Sequence, residues 1–347
     1  MKEFEIIKNK FLPLSQPIPS QVNQNPKKQI LNSFNFSDDV SLIKKSNNNF
    51  IVSKDIFIEN VHFLRSDGGE KIAQKLLLTN ISDIASSGGE PLFYFLGFTK
   101  NSNLKNKFYD DFALGLKKIQ EKFNIVLAGG DTSNSNQLFY SVTIFGAVDD
   151  KKILLRKNAV AGDLIYVSNH IGDAFLGLDI KLKKPKKLLD FHKKLLDKHF
   201  YPNPRINLSK ILSQKQISKC ATDISDCLIA DLEHICEASN LIAEIDLSKI
   251  PISADSKKYL QENQHLKILD LISGGDDYEI IFSSHPDNAE KINQLSQELN
   301  LKLTCIGKFL QNNSKKTINS KICKVKLYQD FITKKLIKFS HKGYEHK

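Results

Sequence analysis

From residue 49 onward, apolar and polar positions fall into short blocks whose period switches between two and about 3.6. Residues 50–58 alternate and are rich in β-branched and aromatic types, which predicts a strand. Between Glu70 and Ser87 the apolar residues stand at 72, 73, 76, 77, 81, 84 and 85, the spacing of an amphipathic helix. A second helix is expected over 104–123, a short buried strand over 124–128 and a long alternating strand over 138–148. Past a connection at 156–163 come a strand at 164–168, a helix opening at Gly172-Asp173, a helix at 228–238, a strand at 278–283, a helix at 286–299 and a strand at 303–307. Residues 4–14 read as a short helix, followed by an extended Pro/Gln/Asn-rich arm up to residue 36. Residues 181–199 are lysine-laden and amphipathic, are broken at Pro185, and read as a solvated helix face. Strands and helices alternate in both halves, so the class is α/β or α+β. The 347 residues suggest two domains, 1–150 and 151–347.

Composition narrows the class. Hydrophobic residues make up 41% and charged residues 26%, which suits a chain with a large buried core. No run of about 18 apolar residues predicts a membrane span. The opening MKEFEIIKNK has neither an apolar h-region nor a small-residue cleavage site, so no secretory signal is expected. The net charge of +11 could attract an anion, but the lysines are scattered and form no compact patch with interleaved aromatics. No nucleic acid and no membrane partner is therefore expected. The five cysteines include no C-x-x-C pair, which argues against a disulfide framework and a structural zinc site and points to a reducing cytoplasm.

Familiar catalytic signatures are missing: no G-x-x-x-x-G-K-[ST] loop, no G-x-G-x-x-G, no G-x-S-x-G elbow and no H-E-x-x-H helix. In their place stand small aspartate clusters, Ser37-Asp38-Asp39, Ser53-Lys54-Asp55, Asn80-Ile81-Ser82-Asp83, Gly129-Gly130-Asp131-Thr132, Asp223-Ile224-Ser225-Asp226 and Gly274-Gly275-Asp276-Asp277. Carboxylates crowd together at a cost unless cations neutralise them. Magnesium prefers carboxylate oxygens and substrate phosphates over His or Cys, so this inventory fits it. Glycine doublets let backbone N–H groups approach a phosphate closely, and Gly129-Gly130 is expected as a ligand loop directly after a strand. Each feature also has a structural reading: a GGD tripeptide is an ordinary turn, a Ser-x-x-Asp pair caps a helix, and a lone His62 sits on the surface.

Taken in order, these segments resemble the thiamine-monophosphate kinase family of the PurM-like (aminoimidazole-ribonucleotide-synthetase-related) superfamily. FSDDVSLI (36–43) resembles that family's GDDAA segment, SKDIFIENVHF (53–63) its S-T-D-x-x-x-x-G-x-H-F, TNISDIASSGGEP (79–91) its N-x-S-D-x-A-A-M-G-x-x-P, and LAGGDTS (127–133) its G-G-D-T-T. The segments at 156–174, 199–206, 222–235, 273–280, 304–308 and 342–346 follow the family order, so the resemblance runs nearly end to end.

The resemblance implies a two-domain PurM-like fold, with the N-terminal half forming a dimer sheet or barrel and the C-terminal half an α/β sandwich. It implies ATP-dependent phosphorylation of thiamine monophosphate to thiamine diphosphate by direct in-line transfer, assisted by several Mg²⁺ ions, in a homodimer. By position, Asp39, Ser53, Lys54, Asp55, Asp83, Asp131, Asp223 and Asp226 would hold metal, with Asp131 and Asp226 carrying catalysis. Gly130, Asp131, Arg156 and Ser225 would meet ATP, and His62, Asp276 and His341 would line the thiamine side. Another PurM-like ATP-dependent enzyme, or a catalytically decayed Mg-nucleotide-binding homologue, is the competing reading. The chain departs from the family pattern where Ser37 replaces Gly, Lys54 Thr, Asn134 Arg and Cys227 Gly, where Asp276 replaces a Glu, and where His341 stands for an aromatic ring. At Lys54 the metal contact can use only the backbone carbonyl.

Overall fold

The computed structural model describes residue 12, residues 31–34, 37–44, 49–149, 151–313 and 324–337, and residue 339. The expected helix at 4–14, nearly all of the arm to residue 36, and His341 lie outside the described residues. The chain divides into two compact units between Ile153 and Leu154. Among the described residues no helix is long and apolar enough to cross a membrane.

Among the described residues the first unit is one sheet covered by two α-helices. Its elements are β1 (Leu31–Asn32), β2 (Ser41–Ile43), β3 (Asn49–Ile58), α1 (Gly69–Ser86), β4 (Glu90–Lys100), α2 (Asn106–Phe123), β5 (Val126–Asn134) and β6 (Phe139–Val148). The six strands lie in the order β1-β2-β3-β6-β4-β5, and only the β4–β5 pair is parallel. The apolar positions read as one helix face are the ones buried in α1, among them Ile72, Leu76, Leu77, Ile81 and Ile84. Tyr140 of β6 anchors the covered face, with ring contacts at 4.7 Å to Phe112 of α2 and 4.9 Å to Phe98 of β4. The opposite face leaves Ile56 and Phe95 exposed.

One expectation changes here. The short buried strand at 124–128 followed by a ligand loop is instead a single exposed edge strand that runs through Gly129-Gly130-Asp131-Thr132. The pairing with β4, which makes the glycine doublet part of a strand and not a ligand loop, is invisible locally. At Gly130 the close approach is made by the protein itself, since a Cβ there would stand 2.0 Å from the Leu96 carbonyl oxygen.

The second unit is a layered α/β sandwich. It contains β7 (Leu164–Ser168), α3 (Asp173–Lys183), α4 (Asp190–Phe200), α5 (Ile206–Gln214), β8 (Cys220–Asp223), α6 (Leu228–Ser239), β9 (Leu241–Asp246), α7 (Ala254–Glu262), α8 (Ile268–Ser273), β10 (Ile280–Ser284), α9 (Ala289–Glu298), β11 (Leu303–Gln311), β12 (Val325–Tyr328) and β13 (Leu336–Ile337). The seven-stranded order is β13-β12-β9-β11-β7-β10-β8, antiparallel except for β12 beside β9. Alternation along β7 separates two cores. Ile165 and Val167 pack with Leu228, Leu232 and Ile235 of α6, while Tyr166 packs with Leu208 and Leu212 of α5 and Ile292 and Leu295 of α9.

Candidate active site

In the first unit the pleat of β3 sorts the Ser53-Lys54-Asp55 triplet. Ser53 Oγ donates to Asp83 Oδ2 of α1 at 2.5 Å. One turn further along α1, Ser86 Oγ donates to Asp39 Oδ2 at 3.1 Å. A carboxylate oxygen of Asp39 and one of Asp83 lie within 4.8 Å of each other. Burial pushes the Asp55 carboxyl up to about 6, the neighbouring Asp39 charge adds to the rise, and Lys54 opposes it. A hard cation with oxygen ligands would neutralise carboxylates that crowd one another. Lys54 falls on the other side of the pleat, where its Nζ donates to Thr143 Oγ1 at 3.3 Å and Ser141 Oγ at 3.4 Å. Its side chain therefore stands with β6, away from Ser53 and Asp83.

His62 follows the end of β3. Its Nδ1 accepts the Ile58 N–H at 3.0 Å and its ring stacks on Phe57 at a centroid distance of 5.3 Å. With Nδ1 used as an acceptor, the neutral ring carries its proton on Nε2, so that nitrogen is a donor. Asp131 and Gly130 lie elsewhere. Their edge strand is three strands from β3, about 14 Å within the sheet. Asp131 is level with Gly97, Ser141 and Ile56, so one chain does not bring it to the Asp39–Asp83 pair.

In the second unit β8 ends at Asp223, and residues 224–227 turn into α6. Asp231, one turn into α6, accepts the N–H groups of Ser225 at 3.1 Å and Cys227 at 3.2 Å with the same oxygen. Single oxygen or nitrogen ligand atoms of Asp226, Asp231 and His234 lie within 4.8 Å of one another. Cys227, in the place of a family glycine, has extended backbone, and its Sγ accepts the Ala230 N–H to cap α6. Burial pushes that thiol up to about 12, so it is no nucleophile. Arg156 Nε donates to Thr222 Oγ1 at 3.1 Å, beside Asp223.

The Gly274-Gly275-Asp276-Asp277 segment is the loop between α8 and β10. Asp276 pairs with His199 Nδ1 at 3.2 Å. Asp277 is buried and accepts the N–H groups of Gly172 and Ala174 at the start of α3, and burial holds its carboxyl well above the usual range. Glu279 takes two bonds from Arg205, at Nε 2.7 Å and Nη2 2.5 Å, as well as Ser168 Oγ and Asn169 Nδ2.

Within its unit, then, the structure groups Asp39, Ser53, Asp55 and Asp83, and sets Asp223, Ser225 and Asp226 on one strand–turn–helix with Arg156 beside it. It sets Asp131 apart and turns the Lys54 side chain away. Ser86, Asp231, His199 and Arg205 were not singled out from the sequence. Each acts through a partner 4 to 77 positions away, and no local spacing marks such a partnership.

Residues 37–148 match the AIR synthase related protein, N-terminal domain, and residues 160–318 the AIR synthase related protein, C-terminal domain. The thiamine-monophosphate kinase of Buchnera aphidicola subsp. Acyrthosiphon pisum is 34% identical over 88% of this chain and 90% of its own length. The chain belongs to the thiamine-monophosphate kinase family. The crystal structure of the thiamine-monophosphate kinase of Stenotrophomonas maltophilia is similar at 28% identity and a TM-score of 0.71, over 89% of this chain and 94% of that one. The structure of AaThiL complexed with AMPPCP and TMP shares the fold at a TM-score of 0.80 and 24% identity, over 100% of this chain and 97% of that one.

Proposed function

We propose that this thiamine-monophosphate kinase family member transfers the γ-phosphoryl group of ATP to the phosphate of thiamine monophosphate, giving thiamine diphosphate and ADP. A phosphate oxygen of the acceptor forms the new P–O bond while the bond between the γ-phosphorus and the β–γ bridging oxygen breaks. The acceptor oxygen is ionised at neutral pH, so no general base is required, and positioning and charge neutralisation carry the catalysis. The observation that carries this reading is the Asp39–Ser53–Asp55–Asp83 group, all hard oxygen donors, in which burial first and the Asp39 charge second push the Asp55 carboxyl up to about 6.

These residues fit magnesium and would hold it together with the Lys54 carbonyl; Asp131 and, in the second unit, Asp223 and Asp226 would be metal ligands as well. Magnesium, when bound, neutralises phosphate oxygens and holds them in place. On this reading Asp131 and Asp226 carry the catalytic role. Ser225 and Gly130 offer backbone N–H groups to ATP, and Arg156 offers its guanidinium fork to phosphate oxygens. His62 would donate through Nε2 on the thiamine side, together with Asp276 and His341. The free thiols of Cys220, Cys227, Cys236 and Cys305 suit a reducing cytoplasm.

The functional form we infer is a homodimer built on the first unit, which is also the metal-binding unit. β5 is an open edge with Val126 62% and Leu127 44% exposed. Among the described residues β2 pairs with Phe50, Ile51 and Val52, which leaves Ser53 to Ile58 of β3 as a second open edge there. Exposed edges of this length call for a partner. A two-fold pairing of β5 with the β3 edge of a second copy closes both edges and carries Asp131 to the strand that holds Asp55.

The test supplies purified protein with Mg²⁺, γ-labelled ATP and thiamine monophosphate. Label in thiamine diphosphate, falling to background in Asp131→Asn, supports the reading. ADP release without labelled thiamine diphosphate rejects it.

A further inference from the structure

His199 lies near the end of α4, and Asp276 on the loop before β10, 77 positions away. The imidazole Nδ1 stands 3.2 Å from Asp276 Oδ2, so Nδ1–H donates to the carboxylate. Their exposure differs in a way that fixes their roles. The Asp276 side chain is 29% exposed and that of His199 only 3%. A molecule arriving at this surface touches the carboxylate and not the ring.

The surroundings hold both partners in place. Asp276 has φ of +71° and Tyr278 φ of +50°, left-handed values that cost a non-glycine residue energy and persist only where neighbours impose them. The Asp276 N–H donates to the Ser225 carbonyl and the Tyr278 N–H to the Ile224 carbonyl, both at 2.8 Å, so the loop is stitched to the segment that carries Ser225 and Asp226. On the other side, Gly177 of α3 lets α4 approach closely. A Cβ at that position would stand 2.2 Å from the Leu195 carbonyl oxygen and 2.9 Å from the His199 Cβ. Asp276 is one methylene shorter than the glutamate of the family pattern, so its reach depends on how the carboxylate is turned.

We propose that His199 is a positioning residue for the acceptor: by holding Asp276, it sets how tightly the amino-bearing, cationic thiamine part of thiamine monophosphate binds, and leaves the phosphoryl-transfer step unchanged. This rests on the reading above, in which Asp276 lines the thiamine side. A carboxylate that accepts one bond from a buried donor is preoriented and keeps its charge for the ligand, and a substrate-contacting group loses affinity when its supporting partner is removed.

The experiment compares His199→Asn with His199→Gln. Asparagine places an amide N–H near the site of Nδ1, whereas glutamine places it near Nε2. His199→Gln is expected to raise KM for thiamine monophosphate by roughly tenfold or more, as loss of a charge-assisted bond should, with kcat and KM for ATP within about threefold of wild type. His199→Asn is expected to return KM to within about threefold. Asp276→Ala should raise the same KM at least as far, and adding His199→Gln to it should do nothing further. An unmoved KM in His199→Gln, a parallel fall in kcat, or equal behaviour of the two amides overturns the inference while an active wild type preserves the underlying function. An inactive wild type overturns both. One measurement needs no variant: in ¹⁵N-histidine-labelled protein the His199 Nδ1–H resonance should move on addition of thiamine monophosphate but not of ADP. A resonance indifferent to thiamine monophosphate contradicts the proposal.

Discussion

Ser53 on β3 donates its hydroxyl to the Asp83 carboxylate on α1 at 2.5 Å, tying the strand to the helix at the point where four acidic or hydroxyl groups meet. The bond orients Asp83, and its loss frees a carboxylate that must be ordered to hold a cation. Ser53→Ala should raise the Mg²⁺ concentration for half-maximal activity by roughly tenfold or more, the usual effect of removing a partner of a metal-holding carboxylate. A steady-state Mg²⁺ titration reads it, and an unchanged midpoint would mean that Ser53 only packs.

Asp55 sets a pH dependence. Its folded-state carboxyl titrates at about 6, above the ordinary 3.8. The folded protein therefore binds a proton more readily than the unfolded chain between these values, and the metal-free protein loses that stabilisation as pH rises through about 6. Magnesium needs the carboxylate, so its binding should weaken as pH falls below about 6 and should release a proton near that pH. Calorimetry in two buffers of different ionisation enthalpy measures the release. Since Lys54 pulls this carboxyl down, Lys54→Thr should move the acid limb to higher pH while leaving activity at pH 8 within about threefold.

Glu279 predicts a stability effect. It is buried, takes both arms of Arg205, and also accepts from Ser168 and Asn169. Glu279→Ala leaves a mostly buried guanidinium, 12% exposed, without its counter-charge and should cost about 3–5 kcal/mol. At about 2–4 °C per kcal/mol the melting temperature should drop by roughly 10 °C. A fall below about 2 °C would show that Arg205 finds another partner.

Much of this arrangement was legible in the sequence, for physical reasons. β3, α1 and β6 each carry one uninterrupted period, so their spans and buried faces follow from alternation or helical spacing. The aspartate clusters were legible because neighbouring carboxylates repel one another unless a cation neutralises them. β4 was not singled out, since EPLFYFLGFTK is a continuous apolar run without alternation. β5 was misread because its glycines serve the close pairing with β4, as Gly130 against Leu96 shows. The His199–Asp276 and Ser86–Asp39 pairs join residues 77 and 47 positions apart, and only the fold creates them.

The homodimer reading makes Asp131 a residue lent by one copy to the other. Asp131→Asn and Asp55→Asn should each be inactive alone. Mixed in equal amounts after subunit exchange, they should recover about a quarter of wild-type activity, because half of the dimers are mixed and each has one intact site. No recovery despite proven exchange would place Asp131 in its own chain's site.

The account stands or falls on acidic side chains gathering divalent cations around two phosphorylated molecules. The direct measurement is the rate of thiamine diphosphate formation against free Mg²⁺, at saturating ATP and thiamine monophosphate, for wild type and Asp83→Asn. The wild type should continue to accelerate after all ATP is complexed, and Asp83→Asn should need far more Mg²⁺ and reach a much lower rate. A wild type that saturates once ATP is complexed, with Asp83→Asn tracing the same curve, would contradict it.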